Sequence, residues 1–222
     1  MSLIMALANR NGIIVSADRR AIKTWKDNDT GDVLYSSYLD NAQKAFITEN
    51  DHVIGFAGAG EIYEQVSMED FIYQIVQELN KLNLPIFKEA EYIKKCVDAA
   101  HEGKMPIAIL VAGIEDGKNY ILTTNTTSPE ITNFSDGING FKEIGVTGIV
   151  NYISEQMGIN KDALSVDEAS KFLRALNMKA ADYLLKHGYK DCISEECDII
   201  IVTKDYKARY DEHDLFRLQK LK

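Results

Sequence analysis

The sequence has little of what marks a disulfide framework, a metal site or a linker. Its three cysteines among 222 residues, Cys96, Cys192 and Cys197, lack the spacings typical of metal ligands or redox pairs. Three prolines and the lack of any low-complexity tract leave no obvious linker. The longest apolar run, 106–112, is far too short to span a bilayer. We therefore expect one domain over residues 1–222, in a reducing cytoplasm, with no cofactor, no metal and no membrane partner.

An excess of basic residues is also missing. The chain has 25 Lys and Arg against 34 Asp and Glu, a formal net charge of −9, and its basic residues are scattered. Neutralising phosphates requires a concentrated basic surface, so the composition argues against nucleic acid as a partner. No charged segment followed by an apolar run opens the chain, and we expect no secretion signal.

The first eighteen residues predict a buried hairpin. Residues 3–8 are all apolar or small, so both faces of a strand here can be buried. Residues 9–12, Asn-Arg-Asn-Gly, tolerate the positive φ of a short turn. A β-branched run then returns the chain to Asp18. The first strand therefore starts at one end of a sheet.

Ser2 is the candidate nucleophile at this strand start. If Met1 is removed, which a small second residue permits, the Ser2 hydroxyl lies beside a free α-amine. That amine has an unperturbed pKa of about 7.7–8.0 and could act as general base for the hydroxyl. The alternative is that Ser2 is an ordinary strand residue.

The remaining chain alternates strands with pairs of helices. We predict an exposed polar loop, two further hairpins, four helices and a final buried strand. The loop spans 19–32, and a short strand follows at 33–38. The two hairpins span 44–57 and 107–124, with further short strands near 132–134 and 143–145. The four helices span about 61–82, 88–101, 149–157 and 165–186, and the last strand spans 198–203. This order favours a layered αβ sandwich.

Five short motifs together resemble one known family over nearly the whole length. They are 12–21 (Gly to Asp with following arginines), 44–47, 53–58, 109–113 and 191–205. In order and spacing they resemble the proteasome β-subunit and the related bacterial ATP-dependent peptidase, which are N-terminal-nucleophile hydrolases. The resemblance implies an α+β fold, a four-layer αββα sandwich, and assembly into stacked rings.

The resemblance also implies peptide-bond hydrolysis through an acyl-enzyme. Ser2 would be the nucleophile, Asp18 would hold the charge network beneath it, and Asp191 with Ser194 would position the amine and its water. The amide of Gly58 would stabilise the oxyanion, since fixed donors that face developing charge contribute strongly to catalysis. The alternative for Gly58 is a tight strand-to-helix turn.

The chain departs from the family pattern at the lysine that should complete the charge network. By register from the 44–47 motif, that position is Asp40, and an acid there should raise the pKa of a nearby amine. Lys23, Lys26 or Lys44 could substitute if the loop register differs.

Two further departures concern hydroxyl groups. The family's Gly-Ser-Gly turn corresponds to residues 145–148, where only Thr147 could supply the hydroxyl. The expected nucleophile, Ser2, is a serine where the family usually has a threonine.

Three functions remain open at this stage. The first is a peptidase that acts on peptide or protein substrates in a homo-oligomeric ring, with a possible ATPase partner. The second is a non-catalytic ring-forming scaffold, and the third is an amide hydrolase of the same superfamily acting on a small molecule. A cation close to Ser2 would separate the first from the second.

The other polar candidates are weaker. His52, His187 and His213 fall at predicted surface turns and have no partners at ligand spacing. Cys192 lies beside Asp191 in an acidic segment, which disfavours a reactive thiolate, so we interpret it as a bystander.

Overall fold

The chain is a mixed α+β protein with antiparallel sheets and, within its described part, four α-helices. A computed structural model describes residues 2–26, 30, 33–58, 60–63, 66–101, 106–146, 148–189, 192–211 and 214–220. In chain order the elements are β1 Leu3–Asn9, β2 Gly12–Asp18, β3 Ala21–Lys26, β4 Val33–Leu39, β5 Ala45–Ile47, β6 Val53–Ala57, β7 Glu61–Tyr63, β8 Val66–Ser67, α1 Met68–Leu82, α2 Ile86–Ala100, β9 Ala108–Glu115, β10 Lys118–Asn125, β11 Ser128–Asn133, β12 Gly140–Gly145, α3 Ile149–Met157, α4 Val166–Lys186, β13 Cys197–Val202, β14 Tyr206–Asp211 and β15 Asp214–Lys220. None of the helices in these ranges is long and apolar enough to cross a membrane.

Two larger sheets organise the chain. The first has the strand order β12-β1-β2-β13-β14-β15, and the second has the order β11-β10-β9-β6-β5. The strands β3 and β4 form a separate two-stranded ribbon. Because β1 pairs with both β12 and β2, its first residue lies inside the sheet and not at its edge.

Side-chain alternation along β1 assigns its two faces to different cores. Leu3, Met5 and Leu7 pack in a cluster with residues of α3 and α4. Ile4 and Ala6 pack in a second cluster with residues of β6, β9 and β10 from the other sheet. A third cluster joins that second sheet to α1 and α2. The prediction that both faces of β1 are buried is confirmed.

Two helices follow their sequence signals closely. The helix α3 spans the predicted residues, and α4 begins after Ser165 with the predicted capping box. The Ser165 hydroxyl accepts from the Glu168 amide, and the Glu168 carboxylate accepts from the Ser165 amide at 2.8 Å. Both reciprocal bonds satisfy amides that a helix start leaves unpaired.

The predicted helix over 61–82 starts too early. The helix α1 begins at Met68, and residues Glu61–Tyr63 pair with Val66–Ser67 as short strands. The helix starts there because the Ser67 hydroxyl accepts from the Asp70 amide and caps it.

The predicted exposed loop over 19–32 is also wrong in part. Its residues Ala21–Lys26 form β3, which pairs along its length with β4. Arg19, which precedes that strand, is buried. The sequence prediction missed this strand because apolar and polar residues do not alternate along it, so its pairing with β4 and not its own hydrophobic pattern specifies it. The hairpin of β14 and β15 was not predicted either.

We predict that Gly55 is required where the two sheets face each other. A Cβ at this position would lie 2.8 Å from the Ile4 side chain, so Gly55→Ala should destabilise the fold by overpacking, by about 1–3 kcal/mol. Gly60→Ala is the matched control, since among the described residues beyond its chain neighbours no atom lies within 4 Å of its Cβ position. Urea unfolding of both variants measures the difference. Equal stabilities would contradict the face-to-face packing.

Candidate active site

Ser2 is held by its backbone at the start of β1. The Val146 amide donates to the Ser2 carbonyl at 3.0 Å, and the Leu3 amide donates to the Asp18 carboxylate at 2.7 Å. Ser2 is 8% exposed and lines a cavity of about 130 Å³ together with Lys44 and Gly58.

Two glycines with positive φ flank Ser2. A Cβ on Gly145 would lie 1.8 Å from the Ser2 carbonyl oxygen, and a Cβ on Gly58 would lie 2.2 Å from the Pro106 carbonyl oxygen. Their φ angles of 97° and 130° are conformations that side-chain-bearing residues rarely adopt. Glycine at position 145 therefore lets the end of β12 come close to the Ser2 backbone, and glycine at position 58 lets the end of β6 come close to Pro106.

Asp18 is the acceptor around which the site is built. Its carboxylate is fully buried at the end of β2 and accepts hydrogen bonds from several groups. The Leu3 and Arg20 amides donate to it at 2.7 and 3.1 Å, and the Ser194 amide donates at 3.4 Å. A buried carboxylate requires such donors and a neutralising cation. Asp18 therefore links the start of β1 to the segment that carries Ser194.

Lys44 supplies that cation. Its ammonium donates to both Asp18 oxygens at 2.9 Å and to the Arg20 carbonyl, so all three N–H donors have acceptors. The side chain is only 5% exposed. Burial lowers the pKa of Lys44 below its ordinary value, although the charge and hydrogen bonds of Asp18 act in the opposite direction.

Two backbone hydrogen bonds set which residue reaches Asp18. The Ala42 amide donates to the Arg19 carbonyl at 3.0 Å, and the Phe56 amide donates to the Lys44 carbonyl at 3.1 Å. These bonds fix the segment before β5 between β2 and β6. Lys44 consequently enters the core directly beside Asp18.

The register count that put Asp40 at the lysine position is corrected by this arrangement. Asp40 instead forms a bidentate ion pair with Arg20, with both N–O distances at 2.6 Å. The hydrogen bond from Arg20 is the main reason that the pKa of Asp40 is lowered. Lys44, one of the three lysines that the sequence left open, contacts Asp18.

Of the predicted pair Asp191 and Ser194, the structure describes only Ser194. Ser194 is buried, its amide donates to Asp18, and its hydroxyl oxygen accepts from the Glu196 amide at 3.1 Å. Asp191, Thr147 and His213 lie outside the described residues. The structure therefore brings together Ser2, Asp18, Gly58 and Ser194, with Lys44 added.

The prediction of a surface turn at His52 is wrong. His52 is buried, and its Nδ1 lies 2.8 Å from a carboxylate oxygen of the fully buried Glu89. The two residues are 37 positions apart, so tertiary packing and not local sequence buries His52.

Cys192 is buried in the wall of a separate cavity of about 360 Å³. Within the described ranges, no group of three or more His, Cys, Asp and Glu side chains is placed to hold a metal ion.

The arrangement has the parts that an activated hydroxyl needs. Ser2, at a strand start, is followed by a residue whose amide binds the buried Asp18–Lys44 pair, and it shares a cavity with Lys44 and Gly58. A scan against protein-family models and a search of curated proteins found no match to this chain. We therefore infer function from the site itself and from the motif resemblance.

We predict that Lys44→Met destabilises the fold by about 3–5 kcal/mol, because it leaves the Asp18 carboxylate buried without a cation. The double variant Asp18→Asn, Lys44→Met should be more stable than Lys44→Met alone, since it removes the uncompensated charge. Chemical denaturation of the wild type, both single variants and the double variant measures this coupling. Unchanged stability of Lys44→Met would show that the ion pair does not form.

Proposed function

We propose that the chain is an N-terminal-nucleophile hydrolase that cleaves peptide bonds through an acyl-enzyme on Ser2, after removal of Met1. The observation that carries the proposal is the buried Asp18–Lys44 ion pair, which is hydrogen-bonded to the backbone next to Ser2. A lysine in contact with Asp18 favours a catalytic site over a non-catalytic scaffold, because the scaffold hypothesis assumes that this lysine has been lost.

In this mechanism the Ser2 α-amine takes the hydroxyl proton while Oγ attacks the substrate carbonyl carbon. The resulting oxyanion is stabilised by the Gly58 amide. The C–N bond then breaks, and the leaving amine receives the proton from the α-ammonium group. Water, activated by the same amine, hydrolyses the ester and restores Ser2.

Lys44 has a defined task in this scheme. A cation beside the α-amine disfavours protonation of that amine, which keeps it available as a base near neutral pH. Asp18 holds Lys44 in place through both carboxylate oxygens. Ser194 would position the amine, and its hydrogen bond to Asp18 supports that role. The role of Asp191 rests on the resemblance alone.

The packing supports the family's four-layer αββα sandwich. One core cluster joins the first sheet to α3 and α4, a second joins the two sheets, and a third joins the second sheet to α1 and α2. Three successive cores of this kind are what helix, sheet, sheet and helix layers require.

A second cavity, of about 470 Å³, is lined by Gly58 and Gly145. Its volume lies within the range of about 300–1,000 Å³ that is typical of sites for small ligands, so the volume alone does not separate a peptide from a small amide. We propose a peptide as the substrate because the motif resemblance implies peptide-bond hydrolysis. A homo-oligomeric ring and a possible ATPase partner are what the resemblance implies, and a cytoplasmic setting is what the cysteine usage favours. All three remain part of the proposal.

We predict that a β-lactone directed at N-terminal hydroxyls adds once to the native chain. Intact-mass spectrometry should show loss of Met1 and one adduct, because Ser2 is then a nucleophile with its own base. Ser2→Ala should abolish the adduct. Ser16→Ala, which removes a buried hydroxyl on β2 away from the cavity, is the matched control and should retain it.

Retained Met1, or clipped protein without an adduct at saturating reagent, would contradict the proposal. The non-catalytic scaffold would then be the better account of the chain.

A further inference from the structure

Asn177 is a polar residue on the core-facing side of α4. It is fully buried, and its neighbours on the same face include Leu173, Leu176 and Ala180 in the cluster shared with the first sheet. Asparagine is a poor helix former, and a buried amide is costly unless it is hydrogen-bonded. Neither the helix nor the apolar core explains this residue.

The Asn177 amide group binds the backbone of the segment that carries Ser194. Its Nδ2 donates to the Ser194 carbonyl at 2.8 Å and to the Glu195 carbonyl at 2.9 Å. Both hydrogens of one NH₂ group are thereby used on consecutive carbonyls. Arg174, three residues earlier on the helix, donates to the Cys197 carbonyl at 3.4 Å. The helix thus binds three backbone carbonyls of this segment, those of residues 194, 195 and 197.

The same segment contacts the candidate site on its other side. The Ser194 amide donates to Asp18, and the Ser194 hydroxyl oxygen accepts from the Glu196 amide. The bond from the Glu196 amide fixes the position of the oxygen and leaves the hydroxyl hydrogen available to donate, for example to a neutral amine. The direction of that hydrogen depends on the backbone position that Asn177 fixes.

We propose that Asn177 is a positioning residue, which holds the Ser194 segment against Asp18 and thereby sets the reactivity of the Ser2 α-amine without touching substrate. The inference rests on the proposed function. A hydroxyl that donates to the neutral amine lowers the pKa of that amine, so loss of the alignment should raise this pKa. Misplacement should also slow acylation far more than it weakens binding.

The test is β-lactone acylation kinetics on the full chain, with the Met1-free fraction measured by intact mass. Asn177→Leu keeps the side-chain size but removes both donors. We expect its maximal inactivation rate constant to fall by about ten- to hundredfold, with the reagent concentration for half-maximal rate nearly unchanged. The midpoint of its pH–rate profile should move to higher pH. Asn177→Asp, which turns oxygen toward two carbonyls, should be slower still.

Leu173→Ala is the matched control, because it opens the same apolar core from the same helix while leaving the two hydrogen bonds in place. It should lower the melting temperature but leave the pH midpoint and the rate constant of folded protein unchanged. If Asn177→Leu does not fold, Asn177→Ser retains one donor and should give an intermediate rate and pH midpoint.

If Asn177→Leu has the rate constant and pH midpoint of the wild type, the inference is overturned while the proposed function stands. The same holds for Asn177→Ser where Asn177→Leu does not fold. Absence of an adduct on the wild type would overturn both.

Discussion

The contact on which the site depends is the ammonium of Lys44 buried against the carboxylate of Asp18. It joins three parts of the chain that are distant in sequence: the first hairpin, the segment before β5 and, through Asp18, the segment that carries Ser194. A buried ion pair is a weak source of stability, because apolar residues of the same volume often serve as well or better. Its presence close to a serine at a strand start is therefore the observation on which the proposed function rests. The lowered pKa of Lys44 fits a cation whose burial is not fully offset by its partner.

The sheets supply the rigid frame for that pair. Because β1 is paired on both sides and buried on both faces, the backbone of Ser2 has little freedom. Gly145 and Gly58 then admit neighbouring backbone at distances that a Cβ would prevent. Catalytic groups must be held within a fraction of an ångström, and sites on strands meet this need better than sites on loops. The frame thus gives the start of the first strand the rigidity that the proposed nucleophile would need.

The sequence predicts those features whose signals are local. The all-apolar run of β1, the capping box at Ser165 and the bounds of α3 each depend on residues within one element. The strand Ala21–Lys26 was missed because its apolar and polar residues do not alternate, and its partner strand specifies it. Lys44 was left among alternatives because two backbone hydrogen bonds between distant segments decide which residue reaches Asp18. His52 and Asn177 gave no signal at all, since their roles arise only when Glu89 and the Ser194 segment pack against them.

The most direct measurement of the central contact is an NMR titration of the native chain with ¹³C- and ¹⁵N-labelled lysine. The signal of Lys44 is assigned by its loss in Lys44→Met. The account predicts that Lys44 titrates below the ordinary lysine pKa, and that it titrates lower still in Asp18→Asn, where the charge that stabilises the ammonium is gone. A Lys44 that titrates with the exposed lysines, and does not respond to Asp18→Asn, would contradict the buried pair and the active site built on it.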